Sequence, residues 1–278
     1  MGLIGEGIQG SRSPVLHEQE ARRLGLALHY QLIDLARARR GTTDLSHILD
    51  AVQAIGFSGV NVTHPFKQAV LPLLDRLSPD AEAIGAVNTV VFQNGQRTGH
   101  NTDWSGFAIP FRRTLDDVSL DDVTLLGAGG AGAAVAHAIL TLGAQRLSIV
   151  DADRGKAETL AARLRSRFGA GRVEPAHDVR TSITHAAGVI NATPIGMTGH
   201  PGTPVDPAWL EPRHWVAEVV YFPLETELLR AAKARGCRTL DGGGMAVWQA
   251  VGAFELFTGS APDAQRMEQH FRSIDTIH

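Results

Sequence analysis

The chain holds one cysteine in 278 residues, Cys237. A lone thiol excludes an internal disulfide and a cysteine metal cluster. Charge of one sign is also missing: 26 Lys and Arg stand against 29 Asp and Glu, a net charge of −3. That balance argues against non-specific nucleic-acid binding. No uncharged apolar run reaches about 18 residues, so no membrane span is expected. The opening Met1-Gly2-Leu3-Ile4-Gly5-Glu6 lacks a charged n-region and a long apolar h-region. No signal peptide is expected there, and the cytoplasm is the expected compartment. The 12 histidines form neither H-E-x-x-H nor a paired Cys/His spacing, so no metal site is expected. Repeats and low-complexity linkers are absent. What remains is an ordinary globular composition, 44% hydrophobic and 20% charged, at a length suited to two domains or one large one.

Val123 to Asp151 carries the clearest pattern. Val123 to Leu126 is a short β-rich run, and it empties into Gly127-Ala128-Gly129-Gly130-Ala131-Gly132. An Ala-rich helical run, Ala133 to Leu142, and a strand, Arg146 to Val150, follow and end at Asp151. Gly127, Gly129 and Gly132 satisfy G-x-G-x-x-G in its required strand–turn–helix context, with an acid after the second strand. The first glycine permits the tight turn, the second lets backbone approach a pyrophosphate, and the third lets helix and strand pack closely. The helix start then offers unpaired N–H groups to phosphate. Asp151 can accept from a ribose 2′-hydroxyl and would repel a 2′-phosphate, so NAD is expected over NADP. Asp153 adds negative charge, while Arg154 and Lys156 lie just beyond.

The first hundred residues alternate strand and helix, so they form a second α/β region. Gly2 to Gly5 is a brief strand before the loop Gly10 to Pro14. Ser13 is expected to N-cap a helix that starts at Pro14 and is stopped by Gly25. Leu28 to Leu35 reads as a strand, Leu45 to Ile55 as a helix, and Gly59 to Val62 as a buried strand. Pro65 is expected to open a helix carrying Lys67 and Val70. Ala81 to Gly85 is a short helix. Val87 to Phe92 and Arg97 to His100 form a hairpin about Asn94-Gly95. Asn101-Thr102-Asp103 caps a helix from Trp104 to Leu115. Polar residues gather where strands end, at Ser11/Ser13, Thr63/Lys67 and Asn88/Thr89, which makes those loops candidates for a substrate site. After Asp151 come a helix, Lys156 to Phe168, and strands at Val173, at Gly188 to Asn191 and from Trp215 to Tyr221. A helix from Glu225 to Arg235, the strand Arg238 to Leu240 and two closing helices, Met245 to Thr258 and Pro262 to Ile274, complete the chain. Asp103–Trp104 and the glycines at 242 to 244 are the boundary candidates, and the glycine run is a candidate hinge.

With these segments in view, the chain resembles the shikimate/quinate dehydrogenase family over essentially its whole length. Gly10-Ser11-Arg12-Ser13-Pro14-x-x-His17 and Asn61-Val62-Thr63-His64-Pro65-Phe66-Lys67 carry the likeness first. Gly85-Ala86-Val87-Asn88-Thr89 and Gly99-His100-Asn101-Thr102-Asp103 follow. Asn191-Ala192-Thr193-Pro194, Tyr221-Phe222-Pro223 and Met245-x-x-x-Gln249 complete it. The resemblance implies a Rossmann-type parallel-sheet nucleotide domain, 104–244, and an α/β substrate domain split between 1–103 and 245–278, with the active site in the cleft between them. It implies that Ser11 and Ser13 bind a carboxylate, that Thr63, Asn88, Asp103 and Gln249 hold ring hydroxyls, and that Tyr221 lines the pocket. Lys67 and Asp103 would be the catalytic pair. The expected cofactor set is the loop 127–132 with Asp151, Asp153 and Arg154, joined by Asn191, Ala192, Thr193, Val219 and Gly242.

The chain departs from the NADP-using, shikimate-dedicated pattern at Asp151-Ala152-Asp153, where that pattern reads Asn-Arg-Thr. With His64 and His100 it looks like the NAD-using branch that accepts quinate and shikimate. Ser13 stands where quinate-oxidising relatives often carry threonine. The expected activity is reversible oxidation of a ring hydroxyl of shikimate or quinate, giving 3-dehydroshikimate or 3-dehydroquinate. Lys67 would act as the proton-transfer group and the nicotinamide as the hydride acceptor. The expected state is a monomer or homodimer, with small-molecule substrates and neither nucleic-acid nor membrane partners. Three readings compete: an NADP-linked biosynthetic enzyme, a dehydrogenase for an amino-substituted shikimate, and a quinate sensor without turnover.

Overall fold

The structure is a computed structural model that describes residues 1–36 and 44–274. The chain divides into two compact units, Met1–Asp103 with Val247–His278, and Trp104–Ala246. Among the described residues, no helix is long and apolar enough to cross a membrane.

The first unit is built on a six-stranded mixed sheet. Strand β1 (Gly2–Gly5) leads into helix α1 (Ser13–Arg23), and β2 (Gln31–Asp34) pairs beside β1 in parallel. The expected strand over 28–35 is trimmed because β1 offers only Gly2 to Gly5 as partners, in register with Gln31 to Asp34. Helix α2 (Leu45–Ala54) precedes β3 (Gly59–Val62), which lies on the other side of β1. A two-residue edge strand, β4 (Arg76–Leu77), carries too little pattern to be read from sequence, and α3 (Pro79–Ile84) follows it. The hairpin β5 (Thr89–Gln93) and β6 (Gln96–His100) turns at Asn94 and Gly95, both at positive φ. That is the conformation an Asn-Gly hairpin turn requires. The strand order is β2-β1-β3-β5-β6-β4. Ile4, Leu49, Val60, Val62, Phe66 and Val90 are buried in its core.

Two expected features of this unit change. Ser13 does not cap α1: Arg12 holds the N-cap position without a side-chain bond, and Ser13 is already inside the helix. The helix expected after Pro65 is replaced by turns and a 3-10 turn at Leu71–Leu73. Pro72 removes a donor and leaves too few residues between the two prolines to propagate a helix.

Helix α4 (Asp103–Thr114) crosses into the second unit, which holds β7 (Asp122–Leu126), α5 (Gly130–Thr141), β8 (Arg146–Val150) and α6 (Arg154–Phe168). Strand β9 (Val173–Pro175) and helix α7 (Val179–His185) come next. Asp178 caps α7, accepting from the Thr181 N–H at 3.1 Å. Polar α7 shows no apolar period, and sequence reading missed it. Then come β10 (Gly188–Asn191), β11 (Trp215–Glu218), α8 (Glu227–Ala234) and β12 (Arg238–Leu240). The six strands pair in parallel in the order β12-β11-β10-β7-β8-β9, a doubly wound sheet whose direction of winding reverses between β7 and β10. Strand β11 stops at Glu218, short of the expected Tyr221. Val219 N–H still donates to the Asn191 carbonyl at 3.0 Å, but β10 ends there and β12 at Leu240, so the ladder goes no further. Helix α9 (Gly243–Thr258) takes in two of the three glycines of the run at 242 to 244 and returns the chain to the first unit. Helix α10 (Ala264–Ile274) closes that unit by burying Met267 and Phe271.

Candidate active site

In the first unit, β1 and β3 run parallel while β5 runs antiparallel to β3 and β6. The chain leaving β1, β3 and β6 and the chain entering β5 therefore meet at one end of the sheet. Ser11 and Ser13 follow β1, Thr63 and Lys67 follow β3, Asn88 precedes β5, and Asp103 follows β6. The loops are tied together there. Thr63 N–H donates to the Ile4 carbonyl at 2.9 Å, Val87 N–H to the Lys67 carbonyl at 2.8 Å, and Asn88 N–H to the His100 carbonyl at 3.1 Å.

The tightest polar contact at this end is Lys67 Nζ donating to Asp103 Oδ2 at 2.7 Å. The lysine side chain is 18% exposed and the aspartate 6%, so one partner is reachable and the other is held inside. Asp103 Oδ1 accepts from Asn88 Nδ2 at 2.9 Å. Asn88 also donates to Thr102 Oγ1 at 2.9 Å, and its Oδ1 accepts from Thr102 N–H at 2.8 Å and from the Thr89 hydroxyl at 3.0 Å. Both donors and both lone pairs of the Asn88 amide are thus met by protein. The side chain is buried and holds Asp103.

Ser13 N–H donates to Ser11 Oγ at 3.3 Å, and the two hydroxyls lie 3.2 Å apart. The serines thus form one small donor cluster at the start of α1. Gln249 sits on α9, one turn before Gly252, whose Cα packs against Thr102. That places Gln249 on the helix adjoining the Asp103 loop. His100 is half-buried at the end of β6, and burial lowers its pKa.

In the second unit the glycine loop lies at the reversal between β7 and β10. Gly127 has φ +99°, and a Cβ there would stand 2.8 Å from the Ala192 carbonyl. A Cβ on Gly132 would collide with the Gly127 carbonyl. Gly129 differs: a Cβ would meet no atom within 4 Å. Packing therefore explains two of the three glycines, and the exposed backbone of the third leaves room for a pyrophosphate. No side chain caps α5 at its Gly129 N-cap, so the N–H groups of Gly130 and Ala131 face an open helix start that suits phosphate.

Asp151 Oδ2 accepts from the Ala128 N–H at 2.7 Å and Oδ1 from the Asp153 N–H at 2.8 Å. The acid is thereby fixed against the glycine loop, with a second lone pair on each oxygen to offer a ribose. Asp153 caps α6, accepting from Gly155 N–H at 3.0 Å, and Arg154 is exposed beside it. Asn191 is fully buried. Its Oδ1 accepts from the Thr193 N–H and hydroxyl, and its Nδ2 donates to Glu218 and to the Ile195 carbonyl. Its side chain thus shapes the loop that carries Ala192 and Thr193. Val219 and Gly242 are neighbours, since a Cβ at Gly242 would press on the carbonyls of Val219 and Val220. Tyr221 is 38% exposed.

Sequence reading missed Glu218 and Asn61, each a polar residue inside a four-residue buried strand. That interruption is the available signal. Glu218 accepts from Asn191 Nδ2 at 2.9 Å and from the Thr226 hydroxyl at 3.0 Å. Burial pushes its pKa up to about 7, against the lowering effect of those donors. Among the described residues, no group of three or more His, Cys, Asp or Glu could hold a metal ion.

Comparison with known proteins bears on this geometry. Residues 3–90 match the model for the shikimate dehydrogenase substrate binding domain, and residues 242–270 match that for the shikimate 5'-dehydrogenase C-terminal domain. A shikimate dehydrogenase (NADP(+)) of Streptomyces avermitilis is 56% identical over 96% of this chain and 92% of its own. A quinate/shikimate dehydrogenase (NAD(+)) of Corynebacterium glutamicum is 50% identical over 99% of this chain and 98% of its own. The solved structure of quinate dehydrogenase from Corynebacterium glutamicum in complex with NAD superposes with a TM-score of 0.92 at 49% identity, covering 98% of each chain.

Proposed function

The chain belongs to the shikimate/quinate dehydrogenase family of oxidoreductases, and from that membership we propose that it uses NAD to oxidise, reversibly, a ring hydroxyl of shikimate or quinate. The observation that carries the reading is the Lys67–Asp103 pair, with the lysine partly exposed and the aspartate buried, at the end of the sheet where the Ser11/Ser13 loop and Thr63 also emerge. The unit Met1–Asp103 with Val247–His278 serves as substrate domain and the unit Trp104–Ala246 as nucleotide domain. The nicotinamide, when bound, accepts the hydride. Ser11 and Ser13 donate to the substrate carboxylate. Thr63 and Gln249 hold ring hydroxyls, and Tyr221 lines the pocket. Lys67 as amine takes the hydroxyl proton and as ammonium returns it to the ketone. Asp103 orients Lys67 and the hydroxyl, and Asn88 holds Asp103.

NAD rather than NADP follows from Asp151 at the end of β8, which favours ribose hydroxyls and opposes a 2′-phosphate. Ala152 offers no cation for that phosphate. Relatives are named for either cofactor, so the cofactor needs its own measurement. Initial rates with NAD are expected to exceed those with NADP more than about tenfold, and Ala152→Arg to narrow the gap. An NADP preference in the wild type overturns this assignment.

Steady-state rates with NAD and each of quinate and shikimate test the activity. Lys67→Ala is expected to lower kcat by about 10²–10⁴-fold with a smaller change in KM. Turnover near wild type in that variant refutes the role given to Lys67. Binding of quinate without any turnover in the wild type favours a sensor instead.

A further inference from the structure

Behind Lys67 and Asp103 runs a buried line of hydrogen bonds within the first unit. Tyr30, 2% exposed, donates through its hydroxyl to Asn61 Oδ1 at 2.7 Å. Asn61 Nδ2 donates to Thr89 Oγ1 at 3.0 Å and to the Asn88 carbonyl at 3.2 Å. The Thr89 hydroxyl donates to Asn88 Oδ1, and Asn88 Nδ2 donates to Asp103.

The direction of every link is fixed by chemistry. The Asn88 backbone carbonyl can only accept, so the Asn61 nitrogen faces it and the Asn61 oxygen faces Tyr30. The Thr89 oxygen accepts from that same nitrogen, so its single proton goes on to Asn88. The Thr102 N–H can only donate, so the Asn88 oxygen faces Thr102 and Thr89, and the Asn88 nitrogen faces Asp103. The line is anchored at its far end, where His17 stacks on the Tyr30 ring with centroids 4.7 Å apart. Asn61 and Thr89 are strand partners across β3 and β5, so the sheet itself sets the spacing. Four polar side chains, Tyr30, Asn61, Thr89 and Asn88, thus all polarise toward one carboxylate.

We propose that Thr89 and Tyr30 are positioning residues for the proton-transfer pair. Thr89 adds a second donor to the Asn88 oxygen beside the Thr102 N–H and so holds the amide in the plane that aims its N–H at Asp103, and Tyr30 sets Asn61 for the same purpose. The carboxylate is thereby aimed, and Lys67 with it. The inference rests on the reading of Lys67 and Asp103 as the reacting pair.

Thr89→Val keeps the shape of the side chain and removes the hydroxyl. It is expected to lower kcat by roughly tenfold while KM stays within about twofold. Thr89→Ser is expected to restore turnover, and Tyr30→Phe, which keeps the ring on His17, to lower kcat less but in the same sense. Melting temperatures of all variants are measured alongside. A folded Thr89→Val with wild-type kcat, or one whose loss Thr89→Ser does not recover, overturns the proposal. If Thr89→Val does not fold, Tyr30→Phe decides, and unchanged kcat there overturns it. Lys67→Ala is run in the same series. Full turnover in Lys67→Ala removes the underlying reading and this proposal with it. An inactive Lys67→Ala beside an unslowed Thr89→Val removes only the positioning role.

Discussion

Asp34 shows how a single side chain can govern a loop it does not belong to. It ends β2 and accepts from Gly7 N–H at 3.0 Å, Ile8 N–H at 3.3 Å, Gln9 Nε2 at 3.1 Å and Ala36 N–H at 3.2 Å. Burial works to raise its pKa, but the Gln9 amide and the backbone N–H groups prevail and lower it. The loop so fixed presents Ser11 and Ser13. Asp34→Asn places an N–H donor against those donors, and KM should rise several-fold with little change in kcat; equal KM values for the two proteins would refute the link. Ser11, Lys67 and Asp103 could be named as candidates because each sits in a local motif, and the sheet brings their loops to one end. The loop-holding role of Asp34 and the grip of Asn88 on Asp103 were not legible, because both depend on partners that only the folded sheet brings near.

At the scale of elements, the segment 63–70 decides where Lys67 points. It forms turns rather than a helix, so its position comes from packing and not from backbone periodicity. Phe66, fully buried beside Ile4 and Val62, is the anchor. Phe66→Ala is expected to cost about 3–5 kcal/mol, read by urea denaturation, and to lower turnover in the molecules that remain folded. A loss under about 1 kcal/mol would mean that the turn is held by its hydrogen bonds alone. Legibility followed the same division. Strands β8, β10 and β12 matched their expected limits because each is a short segment closely bounded by turn residues. The Pro65 segment and α7 did not, since tertiary packing fixes the one and a polar cap nucleates the other.

For the molecule as a whole, two buried groups set opposing responses to pH. His17 has no hydrogen-bond partner for either ring nitrogen among the described residues. Burial first, and the N-terminal ammonium second, pull its pKa down to about 3 from 6.5. The unfolded chain protonates this ring below about 6.5 and the folded one does not, so stability is lost as pH falls from there toward 3. Glu218 acts in reverse: its pKa is raised from 4.5 to about 7. The unfolded chain releases this proton first, so stability is lost as pH rises from 4.5 to 7 and changes no further above that. Melting curves should therefore show His17→Phe gaining on the wild type as the medium becomes more acidic, and Glu218→Gln gaining as pH climbs to about 7. A gap independent of pH for either variant would remove that residue from the account. The division of the chain has a further consequence, for biosynthesis. Residues 104–246 emerge from the ribosome as one uninterrupted unit, whereas the first unit waits for residues 247–278. Glu20, 2% exposed, accepts from Arg266 Nε at 2.9 Å across 246 positions of sequence. The first unit is therefore complete only once residues 247–278 have been made, and a chain cut before Arg266 leaves Glu20 without its guanidinium partner.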